Sequence, residues 1–112
     1  MEYKITLILR KIGLRATYTG FGRLTYAVAL VLKDESYLNN LTTRLYPAVA
    51  EKFQVSASCV ERSMRTVLEV LWERGNIALL EDLLGYHLPD RPYTGEFIDI
   101  IASYLRDNES HI

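Results

Sequence analysis

Cysteine occurs once and histidine twice in 112 residues, and each scarcity removes a class of protein. The single Cys59 excludes an internal disulfide. With only His87 and His111 beside it there is no spaced set of zinc ligands, so neither a metal nor a cofactor is expected. Such cysteine usage suits a reducing cytoplasm. Long apolar runs are also missing: residues 5–9 are too short for a signal or a membrane span, and no basic segment precedes them. A soluble, intracellular protein is expected. Catalysis has little to work with, because Cys59 as a nucleophile needs an adjacent base and His87 falls far along the chain in a loop. No catalytic residue is assigned, and an enzyme is not expected. Thr19-Gly20-Phe21-Gly22-Arg23 has two glycines but neither a preceding strand nor a Lys-Ser/Thr pair, so it is no phosphate-cradling loop.

What the chain does have is apolar residues, 49% of the total, enough for one core in a single domain over residues 1–112. They recur at helical spacing, and no run alternates as a sheet strand would. An all-α fold is therefore expected. Residues 2–12 read as a helix ended by Gly13, and residues 14–20 as a polar connector with room for a brief strand at 16–18. Residues 21–33 read as a strongly apolar helix, 37–45 as a short one after the polar break at 34–36, and 76–84 as another stopped by Gly85. Residues 86–95 hold two prolines and a glycine and read as a loop. A last helix follows at 96–106, capped by Thr94 or Gly95, and the tail 107–112 should fray. The net charge of −1 hides a division: residues 1–75 hold 11 Lys and Arg against 7 acids, and 76–112 hold 2 against 7.

The basic part contains the most informative stretch, residues 45–75. Pro47 presets the first turn of a short helix whose apolar face is Val49, Ala50 and Phe53. After a turn plugged by Val55, a second helix is capped by Ser56 or by Ser58, the latter forming a capping box with Glu61. Two helices at this spacing read as a helix-turn-helix. From Val60 the inward residues are Met64, Val67 and Leu71, which leaves Cys59, Arg62, Arg65, Thr66 and Glu69 on the opposite face. Arginine forks match guanine edges and phosphates, and Glu61 can accept from cytosine, so the start of this helix suits a DNA major groove. Its second half, with Leu68, Val70, Leu71 and Trp72, reads as apolar nearly all round and hence as the central core helix. The plain alternative is a pair of amphipathic helices with a solvated arginine face. The eight tyrosines are scattered at core-like spacing, without the sheet platform of single-strand binders.

Leu45-Tyr46-Pro47, Val49-Ala50, Lys52-Phe53, Ser58, Val60-Glu61-Arg62, Arg65, Glu69-Val70, Trp72, Arg74-Gly75-Asn76, Gly85-Tyr86 and Glu96-Phe97-Ile98 resemble the C-terminal effector domain of stage-zero sporulation protein A. Ile12-Gly13 and Gly20-Phe21 extend the likeness over nearly the whole chain. The resemblance implies six helices, the fourth of which reads the major groove of double-stranded DNA, with an adjoining loop on the DNA backbone and the last helix, 96–106, in dimer contact. Carried over by position, the reading residues are Cys59, Glu61, Arg62, Arg65 and Thr66, with Ser58 at the helix start. Glu61, Arg62 and Arg65 match the family, whereas Cys59 replaces an arginine and Thr66 a histidine. A changed operator or weaker binding follows. The family's phosphorylatable receiver has no counterpart in these residues, so neither phosphorylation nor its metal is transferred. The expectation is a transcriptional regulator, as an excised domain or a receiver-less homologue. The competing expectation is a protein-interaction module that pairs with a full-length regulator.

Overall fold

Ile5, Ile8, Leu9 and Ile12 recur three or four residues apart, the spacing of one helical face, and in the computed structural model they are buried along α1 (Glu2–Lys11) and its end. The structure describes residues 2–109. Gly13 ends α1 at φ 105°, and the amides of Gly13 and Leu14 return to the carbonyls of Arg10 and Leu9, both at 3.0 Å. This is a Schellman cap, which glycine enters without Cβ strain. The polar connector forms no strand at 16–18; residues 15–18 make a turn closed by the Tyr18 amide donating to the Arg15 carbonyl at 3.1 Å.

Helix α2 (Thr19–Lys33) starts two residues earlier than expected and packs against α1, α3, α4 and α6. It, and not the second half of α4, is the central helix. The reason lies in the pattern. The continuous apolar run Ala27-Val28-Ala29-Leu30-Val31-Leu32 gives α2 more than one face to cover, whereas α4 buries a single stripe of Val60, Met64, Val67, Leu68 and Leu71. Trp72 and Val70 lie beside that stripe and are half-buried, contrary to the expectation of an all-round apolar half.

The expected helix over residues 37–45 is two turns of different pitch, a 3₁₀ turn (Glu35–Asn39) and a wide turn (Leu41–Leu45). Asn40 separates them at φ −140°, and its side-chain amide donates to the Ser36 carbonyl at 3.0 Å, a local bond that competes with regular winding. Asp34 starts the first turn by accepting from the Ser36 amide and hydroxyl, which hold its carboxyl below the usual range, with Arg44 adding to the effect. Arg44 also covers the Tyr37 ring at 4.5 Å.

Then come α3 (Tyr46–Phe53), α4 (Ala57–Arg74), α5 (Ile77–Leu84) and α6 (Thr94–Glu109). Among the described residues no strand occurs, so the fold is all-α with six helices. Asn76 caps α5 by accepting from the Leu79 amide at 2.9 Å, and its own amide donates to the Ile12 carbonyl at 2.8 Å, which ties the α4–α5 corner to the end of α1. Gly85 stops α5 at φ 82°, as expected. Helix α6 buries Phe97, Ile98, Ile101, Ala102 and Leu105. Neither Thr94 nor Gly95 caps it. The Tyr93 carbonyl accepts from Phe97, and Glu96 reaches back to the Tyr93 amide at 3.1 Å. The helix continues to Glu109; of the expected tail, positions 110–112 lie outside the described residues.

Candidate nucleic-acid interface

The angle between α3 and α4 is set by three residues. Gln54 takes the left-handed conformation at φ 56°, while the Val55 amide returns to Ala50 at 3.1 Å and the Gln54 amide to Glu51 at 3.4 Å, a second Schellman cap. Val55 then packs against the core, and Ala50 is buried at the crossing. Ser56 begins α4 by accepting from the Cys59 amide at 3.1 Å. Between the two serines of the sequence reading, Ser56 is therefore the cap, and the Ser58–Glu61 box does not form; Ser58 sits inside the first turn, 3.2 Å from the Ser56 hydroxyl. Phe53, expected to face inward, is 37% exposed; it lies edge-on to Tyr26 with ring centroids 6.2 Å apart and flanks Gly22.

On α4 the structure brings the expected residues to one outer surface. Ser58, Arg62, Arg65 and Thr66 are exposed, and Cys59 and Glu61 are half-buried. Arg65 stands 4.0 Å from Glu61, an exposed i,i+4 pair of small energetic value that orients both side chains. Arg62 has no acidic partner among the described residues. The Thr66 hydroxyl donates to the Arg62 carbonyl at 3.0 Å, so it is spent on the helix itself. Burial pushes the phenol of Tyr46 up, and the Glu61 carboxylate adds to this, which places a neutral phenol behind the Glu61–Arg65 pair.

Several neighbours of this surface escaped the sequence reading. Arg91 of the loop 86–93 lies 3.8 Å from Glu69 and brings that loop beside α4. Arg23 of α2 donates to the Ser63 hydroxyl at 2.9 Å and to the Cys59 sulfur at 3.5 Å, so Cys59 is covered and not open as its place on the helix suggests. A groove of about 490 Å³ runs between the start of α2 and the outer flank of α4, past Arg23, Cys59, Arg62 and Thr66. Periodicity along one helix carries no signal for a residue delivered from another.

Short α3, a tight turn and a longer α4 with an arginine-bearing outer surface, all within a six-helix body, make a helix-turn-helix arrangement. The chain belongs to the family described as sporulation initiation factor Spo0A, C-terminal, whose model matches residues 5–105. Its class is thus that of the DNA-binding effector domain of a sporulation response regulator, a transcription-regulating family and not an enzyme family. Among the described residues no helix is long and apolar enough to cross a membrane, and no three His, Cys, Asp or Glu gather as metal ligands.

Proposed function

We propose that this chain is a cytoplasmic, sequence-specific transcriptional regulator that acts as one unit by laying the first half of α4 in the major groove of double-stranded DNA. The observation that carries this is the pair Arg62 and Arg65, exposed on one flank of α4 directly after the turn, with Arg62 free of any acidic partner among the described residues. In this reading Arg62 and Arg65 meet base edges or phosphates, Glu61 orients Arg65 or accepts from cytosine, and Ser58, Cys59 and Thr66 border the contact. Dimer contact through α6 belongs to the same proposal. Since Phe97, Ile98, Ile101, Ala102 and Leu105 are committed to the chain's own core, the partner would meet Ile100, Ser103, Tyr104 and Asp107. Pairing with a full-length regulator would use that same surface.

Arg62→Ala is the test. If its fork meets a base edge, binding to a duplex selected from a random pool should weaken by about 1–3 kcal/mol, and discrimination at one base position should relax. The thermal melt should stay unchanged, because the side chain is exposed. Equal affinity of wild type and variant at matched salt rules the assignment out.

A further inference from the structure

A second unneutralised guanidinium reaches the same surface from a different helix. Gly20 lets α2 cross α4 closely, because a Cβ there would overlap the Ser63 carbonyl oxygen and approach the Val67 side chain. One helical turn later, Arg23 lies over the flank of α4. There a single terminal nitrogen, Nη1, donates to two neutral acceptors, the Ser63 hydroxyl at 2.9 Å and the Cys59 sulfur at 3.5 Å. The Ser63 hydroxyl proton goes to the Val60 carbonyl at 3.0 Å, so its lone pairs remain for Arg23 and its position is fixed by the helix. Of the arginines around the first half of α4, Arg65 and Arg91 stand beside acids. Arg23 and Arg62 have no carboxylate within ion-pair distance among the described residues, and both line the same groove. A half-buried guanidinium held by neutral groups keeps its full charge and most of its donors, an arrangement that an incoming anion stabilises.

We propose that Arg23 is a DNA-contacting residue: α2 delivers its guanidinium to the edge of the reading helix, where it binds a backbone phosphate beside the bases met by Arg62. This rests on the major-groove reading above. A phosphate and not a base edge is its ligand, since Ser63 and Cys59 hold the group on the flank of α4, short of the exposed face that carries Arg62. Thr19 and Gly20, at the N-terminus of α2 where Tyr18 offers no side-chain cap, line the same groove and favour the same sign of charge.

The experiment is a salt titration of wild type, Arg23→Gln and Arg62→Ala on two duplexes, one selected by wild type from a random pool and one scrambled. Glutamine keeps a donor for Ser63 and removes the charge, and matched thermal melts establish that the variant folds. Arg23→Gln should weaken binding to both duplexes alike, about fivefold at physiological salt, and lower the slope of log K against log salt by about 0.9. Arg62→Ala should instead reduce the ratio between the duplexes. If Arg23→Gln leaves affinity and slope unchanged while Arg62→Ala lowers the ratio, Arg23 only braces α2 against α4 and this inference fails alone. If wild type does not discriminate the two duplexes and Arg23→Gln has the wild-type slope, both readings fall.

Discussion

Phe97→Ala is expected to destabilise the protein by about 3–5 kcal/mol, the range for truncating a buried aromatic ring, since the lost transfer energy is joined by the cavity left behind. Phe97 is fully buried in the first turn of α6, one residue after the Glu96 side chain that fixes the start of that helix. The amide of Phe97 itself bonds to Tyr93 at 2.9 Å, so the ring is held where little local collapse can refill its place. Trp72→Ala serves as the contrast. The indole is the larger side chain, yet it is half-buried beside the stripe of α4, and its truncation should cost well under half as much. Urea denaturation of the two variants gives both free energies. A loss for Phe97→Ala no greater than that for Trp72→Ala would show that α6 does not bury Phe97 in the core as described.

Two glycines on one helix should respond to alanine in opposite directions. At Gly20 a Cβ would overlap backbone, the Ser63 carbonyl carbon lying 2.9 Å away and its oxygen closer still. Backbone cannot rotate aside as a flexible side chain would, so α2 and α4 must separate, and Gly20→Ala should cost about 1–3 kcal/mol or more. At Gly22 the nearest atoms are the ring edge of Phe53 at 3.6 Å, an ordinary contact on a half-exposed side chain. Gly22→Ala should therefore stabilise the domain by roughly 0.5–1 kcal/mol through helix propensity. The shift of α2 in Gly20→Ala should also carry Arg23 away from Ser63, which the salt slope on DNA would register as loss of one phosphate contact. Matching melting temperatures for the two variants would contradict the helix crossing.

The helices and the outer surface of α4 were legible along the chain because they depend on local spacing. Apolar residues every three or four positions define α1, α4 and α6, Gly13 and Gly85 stop helices through the positive φ that only glycine enters freely, and the turn at Gln54–Ser56 follows from the gap between two short patterns. Arg62, Arg65 and Thr66 fall on the exposed side of α4 for the same reason. Where local signals competed, the sequence left the matter open or misled: Ser56 and Ser58 both suit a cap, and Asn40 turns an apparent helix into two turns through a side-chain bond to Ser36. What only the tertiary structure decided is what lies beside what. It made α2 the central helix, left Trp72 half-exposed, and placed Arg23 over Cys59. These outcomes depend on how closely two helices approach, and that distance is set at Gly20 by an absent Cβ and at the Gly75–Asn76 corner by one amide donating to Ile12. Such contacts join residues tens of positions apart, where the periodicity of a single helix carries no information about its neighbour.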